Sequence, residues 1–247
     1  MGGRVPGHYA TGGSRMNVID ITGVIRNGMW NYEEPFPKFR MRPLDRVPWV
    51  EADVYAEVFE GMHSQTGTYL ETPAHYYGSD ASYDVADIPI GKLVDRRCIV
   101  LKLDGSLFES PESRVPITVP MLESCLGGER ISEDDAILVA TGWGKHWMDE
   151  RYLEFSPYFT YEAMKWLIKK RPVLLGSDFP RWDHLTKSER FFPEFYEADI
   201  LMLAPCVNLE TVRRPDVRLT VLPLHISGTS AVPCRAILME EADKDDK

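Results

Sequence analysis

Reactive side chains are most concentrated in residues 62–77, a polar stretch that lies between two apolar runs. Within it, Gln65, Tyr69, Glu71 and His75 are spaced so that an irregular turn could aim them at one point. A carboxylate and an imidazole four residues apart can share a proton or bind a metal ion. The same pair is also common as a solvent-facing hydrogen bond, so these residues indicate a site without fixing its chemistry.

A second group of side chains suited to ligand binding lies in residues 27–48, where prolines stand among aromatic residues. This composition predicts an irregular but ordered loop. Its aromatic rings either line a pocket or pack as core or lid. We expect Trp30 and Phe36 to contact a substrate, together with the amide of Gln65.

Other titratable residues carry weaker signals. His63 lies two residues before Gln65 and could reach the same region, whereas His225 lies in an apolar strand pattern typical of a core or edge histidine. Asp178 is predicted to cap the turn that follows it. Asp183 and His184 are neighbours, and because adjacent side chains on an extended chain point in opposite directions, a solvated turn is favoured over a catalytic pair.

The elements that must position these residues follow from the hydrophobic pattern. Between two apolar runs, residues 161–170 have apolar positions at helical spacing, which predicts a right-handed βαβ unit over 136–178. Apolar runs predict strands at residues 17–22, 54–60, 98–103, 136–142, 172–178, 200–203, 220–225 and 234–239.

Composition excludes several classes of protein. Of 247 residues, 44% are hydrophobic and 27% are charged, as in ordinary folded proteins. The formal net charge of −10 argues against a broad basic surface for nucleic acid or anionic lipid. No apolar run reaches the roughly 18–20 residues that span a bilayer. The N-terminus also lacks the charged-then-apolar order of a signal peptide, so we expect a cytoplasmic protein. Four widely separated cysteines predict free thiols rather than a zinc finger.

The chain reads as a single domain with short extensions. Residues 1–15 are rich in glycine and are predicted to be a flexible leader or a remnant of cloning. Residues 16–240 show no linker and no internal repeat, which predicts one domain. Residues 241–247 form an acidic tail, and we expect the acidic run from Glu240 onward to be solvated.

The stretch from Gln65 to His75 resembles the motif of the metal-dependent cyclase family, which includes bacterial kynurenine formamidases and isatin hydrolase. The family motif is approximately HxGTHxDxPxH, and this chain keeps its Gly-Thr core, its proline and its last histidine in register. The resemblance covers nearly all of residues 17–239. It implies an α/β fold of three layers, the swivelling β/β/α domain of the cyclase family.

In that family, two histidines and the aspartate of the motif hold a divalent metal, usually zinc or manganese. The corresponding residues here are Gln65, Tyr69 and Glu71. Glutamate can replace aspartate, but glutamine is a weak neutral ligand and tyrosine would first have to lose its proton. The resemblance therefore implies either one weakly held divalent metal, on Gln65, Glu71 and His75, or no metal.

Two further family groups are altered. A later histidine and a glutamate of the family, which support a second metal or the reacting water, align with Phe192 and Ala204. Neither of these side chains can coordinate a metal ion. Of the family's site residues only His75 is retained.

The resemblance implies a hydrolase, of the kynurenine formamidase type, that acts on the C–N bond of a small aryl formamide or cyclic amide. A second hypothesis gives Glu71, His75 and Tyr69 acid and base roles without metal, in ring closure, elimination or hydrolysis of an aromatic or polyketide-like substrate. A third is a non-catalytic descendant that binds a small molecule. The expected partners are a small-molecule substrate and further copies of the chain, in a homodimer or larger homo-oligomer, with neither nucleic acid nor membrane.

Overall fold

The computed structural model describes residues 9–11, 14–51, 55–109 and 113–242, with side chains from residue 16 onward, and is built on one nine-stranded sheet. The strands are β1 (Tyr9–Thr11), β2 (Ser14–Asp20), β3 (Arg40–Pro43), β4 (Glu57–Glu60), β5 (Tyr69–Glu71), β6 (Arg96–Lys102), β7 (Pro116–Ile117), β8 (Ala136–Ala140), β9 (Tyr158–Phe159), β10 (Leu174–Ser177), β11 (Leu201–Ala204), β12 (Asp216–Pro223) and β13 (Ala231–Glu241). The order in the sheet is β1-β2-β13-β12-β6-β8-β10-β11-β5, and β5 also pairs with β13, so the sheet closes on itself. Strands β3 and β4 form a separate hairpin, and β7 pairs with β9.

The central strands are buried on both faces. In β6, Cys98 and Val100 belong to the hydrophobic cluster inside the closed sheet, whereas Ile99 and Leu101 belong to a second cluster on its outer face. Strands β6, β8, β10 and β11 run parallel to one another. Parallel strands covered on both faces are near-continuous apolar runs, which is the pattern that the sequence shows.

Helices cover the outer face of these parallel strands. The helix α3 begins after Thr160, whose side chain accepts a hydrogen bond from the Ala163 backbone N–H at 3.2 Å. Together with α2 and α4 it buries apolar side chains against the outer cluster. The helices are α1 (Ala74–Tyr77), α2 (Val119–Ser124), α3 (Tyr161–Ile168) and α4 (Phe192–Glu197), with single 3₁₀ turns at Val85–Asp87, Ile90–Lys92, Gly105–Phe108, Trp143–His146 and Leu209–Thr211. The two sides of the closed sheet and this helical layer confirm the predicted three-layer α/β fold.

The predicted βαβ unit is confirmed. Strands β8 and β10 are parallel neighbours, and α3 lies in the connection between them. Two other predictions differ in extent. The run at 54–60 supplies only Glu57–Glu60, in the separate hairpin, where Phe59 is exposed, and residue 54 lies outside the described residues. The strand expected at 220–225 begins at residue 216 and ends at Pro223, which leaves His225 exposed beyond it.

Both ends of the domain differ from a simple leader and tail. Tyr9–Thr11 pairs with the start of β2, while residues 1–8, 12, 13 and 243–247 lie outside the described part. The expectation that Glu240 is solvated is wrong, because it lies within β13 and is 2% exposed. Its carboxylate accepts hydrogen bonds from Asn17 Nδ2 at 3.0 Å and from the Arg213 backbone N–H at 2.9 Å. None of the helices in the described ranges is long and apolar enough to cross a membrane.

Asp178 ties two strand ends together instead of capping its own turn. Its carboxylate accepts hydrogen bonds from the backbone N–H groups of Thr141 and Gly142, at 2.9 and 2.7 Å, and from the Thr141 hydroxyl at 2.7 Å. The predicted cap is therefore wrong in its target, because the carboxylate crosses from β10 to the turn after β8. Burial raises the pKa of Asp178 to about 6, although these hydrogen bonds act in the opposite direction.

Replacing Asp178 with asparagine should lower the free energy of unfolding by about 2–4 kcal/mol, because a buried charged acceptor is lost and an amide N–H then faces backbone N–H donors. Urea denaturation at pH 7, followed by circular dichroism, measures the change. Asp104→Asn is the matched control, since Asp104 is an exposed carboxylate that accepts from the Ser106 backbone N–H at 3.0 Å. A loss at Asp178 no larger than the loss at Asp104 would contradict the structural role given to this carboxylate.

Candidate active site

A cavity of about 460 Å³ lies on the outer face of the sheet, between β5, β11, α4 and the loop that follows β10. Its wall combines six aromatic side chains with seven polar or charged ones. The lining residues are Tyr32, Phe36, Gln65, Tyr69, Glu71, His75, Pro180, Arg181, Trp182, Asp183, His184, Leu185, Ser188, Phe192, Tyr196 and Met202. A concave site in which aromatic rings surround convergent polar groups is typical of small-molecule binding.

The strand β5 directs two of these side chains into the cavity. Residues Tyr69 and Glu71 face outward, while Leu70 between them lies in the cluster inside the closed sheet. Glu71 pairs in register with Met202, and Tyr69 pairs with Ala204. The alternation of side chains along a strand therefore explains why the first and third residues of β5 share the site.

The Gly-Thr core of the motif anchors the turn that leads into β5. Gly67 has φ of +74°, and a Cβ atom added there would lie 2.7 Å from Ile25 Cγ1, so glycine is required by both conformation and space. Thr68 donates its hydroxyl to the Pro205 carbonyl at 2.6 Å and accepts the Gly23 backbone N–H at 3.0 Å. These bonds hold the turn against two neighbouring segments.

Glu71 is the buried polar centre of the cavity. It is 1% exposed, and its Oε1 accepts the Tyr196 hydroxyl at 2.5 Å. Its Oε2 accepts Gln65 Nε2 at 2.9 Å and lies 3.7 Å from His75 Nδ1. Burial raises the pKa of Glu71, while the charge of His75 and the two hydrogen bonds lower it, and burial has the larger effect.

Tyr69 is a neutral phenol in this site. Its hydroxyl lies 3.2 Å from the hydroxyl of Tyr32, which donates to the Pro180 carbonyl at 3.1 Å. Because Tyr32 gives its single proton to Pro180, Tyr69 is the donor of the bond between the two phenols. Burial raises the pKa of both hydroxyls well above the usual value.

The donor set does not fit a resident divalent metal. Of the motif positions, Tyr69 keeps its proton and Gln65 turns an amide N–H to Glu71, which leaves one carboxylate and one imidazole. Within the described ranges, no three histidine, cysteine, aspartate or glutamate side chains converge as a metal site requires. Phe192 lines the cavity without a polar atom, and Ala204 lies on β11 opposite Tyr69. Of the three residues expected to hold a weakly bound metal, Gln65 and Glu71 bond each other, and His75 lies 3.7 Å from Glu71.

The structure brings most of the predicted site residues together. Phe36 lies in the cavity wall with the motif residues, but Trp30 does not. The indole of Trp30 packs against Tyr32 and Trp147, with ring centroids 5.3 Å apart in both cases, so it supports the wall from behind. His63 packs against Phe36, with ring centroids 4.8 Å apart and planes tilted by 47°, and is not part of the cavity wall.

The sequence analysis did not identify several of the residues that line the cavity. Tyr196 is distant from the motif in sequence, and no local pattern links it to Glu71, although its position four residues after Phe192 on α4 would place both on one helical face. Asp183 and His184 lie on a half-buried turn, and both line the cavity, which the sequence did not indicate. Arg181, also in the wall, pairs with Glu33.

A comparison with models of protein families identifies the family of this chain. The model of the Cyclase family, described as "Putative cyclase", matches residues 19–184. The chain belongs to this family. None of the curated proteins matches this chain.

Solved structures share the architecture at low sequence identity. Isatin hydrolase A from Ralstonia solanacearum is 20% identical, with 92% of each chain covered and a TM-score of 0.78. An isatin hydrolase bound to the product analogue thioisatinate is 18% identical, with 92% of this chain and 93% of that chain covered and a TM-score of 0.79. A potential metal-dependent hydrolase with cyclase activity is 20% identical, with 92% of this chain and all 100% of that chain covered and a TM-score of 0.67. At these identities the likeness establishes the fold.

Removing metal should leave this member of the cyclase family intact. After mild dialysis against a chelator, elemental analysis should find far less than one zinc or manganese per chain, and the melting temperature should not change, because the polar groups of the cavity satisfy one another. The matched variant is Gln65→His combined with Tyr69→His, which supplies the two missing imidazoles beside Glu71 and should gain zinc affinity of at least about tenfold. A stoichiometric zinc that survives chelation of the parent chain would contradict this donor-set argument.

Proposed function

We propose that this cyclase-family chain is a hydrolase that cleaves the C–N bond of a small aryl formamide or cyclic amide through His75 and Glu71, without a tightly bound metal. The observation that carries the proposal is a buried carboxylate, Glu71, held beside an accessible imidazole at an aromatic-lined cavity. A titratable pair of this kind in a concave site is the usual arrangement of a general base and the group that orients it.

The two members of the pair differ in accessibility, which assigns their roles. The side chain of His75 is 41% exposed, whereas that of Glu71 is 1% exposed and both of its oxygens are engaged. His75 can therefore reach water and substrate, and Glu71 acts through His75. The carboxylate attracts Nδ1, which leaves the other ring nitrogen free to accept a proton.

Hydrolysis through this pair needs water as its only co-reactant. His75 accepts a proton as the water oxygen forms a bond to the amide carbonyl carbon, and the carbonyl electron pair moves to its oxygen. Glu71 stabilises the imidazolium that results. When the C–N bond breaks, the nitrogen leaves with the proton from His75, which gives a carboxylic acid and an amine. No group is oxidised or reduced.

The cavity favours a planar aromatic substrate. Its volume of about 460 Å³ suits a compound of one or two rings. Phe192 and Tyr196 are stacked, with centroids 5.8 Å apart and planes 19° apart, and Phe36 adds a further face. We also infer that the partner of this site is a small molecule. Assembly into a homodimer or larger homo-oligomer stays a prediction, as does a cytoplasmic location.

A second function is favoured by a specific observation. Phe192 and Ala204 stand where the family resemblance places polar groups, and neither side chain can hold a reacting water. This supports a binding protein that keeps the cavity but has lost turnover. A metal-independent cyclase or lyase would use the same pair, Glu71 and His75, on an aromatic substrate. Product formation distinguishes such an enzyme from the binding protein.

Glu71→Gln should reduce kcat for formanilide, an aryl formamide, by about 10²–10⁴-fold with little change in KM, because the neutral amide cannot stabilise the imidazolium. His75→Asn should show a loss of similar size. Glu194→Gln is the matched control, since Glu194 accepts the Tyr161 hydroxyl at 2.6 Å much as Glu71 accepts that of Tyr196. If the parent chain binds formanilide but hydrolyses no amide, ester or lactone, the binding function replaces the hydrolase.

Tyr196→Phe should move the acidic limb of the kcat/KM profile to higher pH. The Tyr196 hydroxyl stabilises the charged form of Glu71 and so lowers the pKa of that carboxylate. Without the hydroxyl, Glu71 takes up a proton at a higher pH, and the orienting charge is lost earlier as the solution is acidified. Tyr161→Phe removes the corresponding bond to Glu194 and should leave the profile in place. An unshifted limb in Tyr196→Phe would exclude Glu71 as the titrating group.

A further inference from the structure

We propose that His184 is a further catalytic residue: its Nε2–H donates a hydrogen bond to the substrate carbonyl oxygen and stabilises the negative charge that develops there. The proposal rests on the hydrolase function argued above. His184 lies in the cavity wall and would act as a hydrogen-bond donor, whereas Glu71 only accepts hydrogen bonds.

The backbone around His184 fixes which ring nitrogen carries the proton. Nδ1 accepts the backbone N–H of Thr186 at 3.2 Å and that of Lys187 at 3.1 Å. A nitrogen that accepts these bonds must present its lone pair, so the proton of the neutral ring lies on Nε2. Within the described residues, no side chain or carbonyl accepts a hydrogen bond from that Nε2–H.

The loop that carries His184 is held from several sides. Arg114 donates to the carbonyl of Arg181 at 2.6 Å and to that of Asp183 at 2.5 Å. Asp183 in turn accepts the backbone N–H of Glu189 at 2.7 Å. A donor on a braced loop needs little reorganisation when charge develops in front of it, which is the condition for electrostatic catalysis.

The imidazole itself is braced by an aromatic contact. The rings of His184 and Tyr158 meet edge to face, with centroids 4.9 Å apart and planes 84° apart. Tyr158 also lies under the guanidinium of Arg114, 5.3 Å from the ring centroid. Ring orientation and backbone position are therefore fixed by the same group of residues.

Most other donors of the cavity are engaged within the protein. Arg181 pairs with Glu33 through Nη2 but keeps a buried Nε without a partner among the described residues, so it is a charged donor, whereas Gln65 bonds Glu71 and His75 serves as the base. The remaining hydroxyl and indole donors also have internal acceptors: Tyr32 bonds Pro180, Tyr69 bonds Tyr32, Tyr196 bonds Glu71, Ser188 bonds Asp183 and Trp182 bonds Ser177. His184 is thus a neutral donor that lines the same cavity as His75 and is available to the carbonyl oxygen of a substrate.

The first test is kinetic. His184→Phe keeps the ring and its contact with Tyr158 but removes both nitrogens, and kcat for formanilide should fall by about 10²–10³-fold with KM little changed. His184→Gln restores an N–H donor and should recover at least about tenfold of that loss. Thr186→Ala is the control, because it keeps the backbone N–H that binds Nδ1. A neutral donor changes the height of the pH profile and not its shape, so a vanished limb in His184→Phe would overturn the proposal by making His184 a base.

The second test needs no turnover. In chain labelled with ¹⁵N-histidine, the ring resonances that disappear in His184→Gln should report the Nε2–H tautomer at neutral pH. Formanilide should shift the Nε2–H signal, whereas N-methylaniline, which has no carbonyl group, should not. The Nδ1–H tautomer, or equal shifts with both compounds, would overturn the proposal. A carbonyl-dependent shift in a chain that hydrolyses nothing would support the donor while rejecting the hydrolase.

Discussion

The three residues of β5 pair with β11 on one side and with the first residues of β13 on the other, and this double pairing closes the sheet. Closure removes two exposed edges, whose unpaired N–H and C=O groups would otherwise face solvent. It also sets the orientation of every side chain in the strand. Leu70 must enter the interior, so Tyr69 and Glu71 must face the helical layer, where α4 supplies the hydroxyl of Tyr196.

Hydrogen bonds compensate for the burial of the Glu71 carboxylate. A carboxylate with 1% exposure is costly to bury unless opposite charge or donors compensate for lost hydration. In this chain the donors are Tyr196 and Gln65, with His75 close enough to add charge when protonated. Because the bonds to Glu71 come from separate segments, they also join the motif to α4. Gln65 stands where the family motif has a histidine ligand, and in the folded chain its amide is a hydrogen-bond donor to Glu71.

Sequence reasoning predicted the parts of this structure that have a local cause. The apolar runs at β8 and β10 and the helical spacing of α3 located the βαβ unit. The strand β5 was not predicted, because its three residues lie within a polar stretch that was interpreted as an irregular loop. Sequence reasoning also could not predict the positions of residues that are set by contacts between segments far apart in the sequence. Tyr196 reaches Glu71 across 125 positions, and Trp30 was expected in the cavity although Tyr32 and Phe36 form that part of the wall.

The loop after β10 shows why adjacency along a chain is a poor guide to chemistry. Asp183 and His184 are not bonded side chain to side chain: the carboxylate accepts loop donors, including the Glu189 N–H, whereas the imidazole accepts backbone N–H groups at Nδ1, which places its proton on Nε2. Two backbone N–H groups of the loop therefore fix the tautomer of the His184 ring. In the proposed mechanism His75 accepts the proton, with Glu71 behind it, while His184 stabilises the charge on the carbonyl oxygen, so the two tasks fall to different residues of the cavity wall. This division of roles is how neutral side chains and one buried carboxylate would act on a carbonyl.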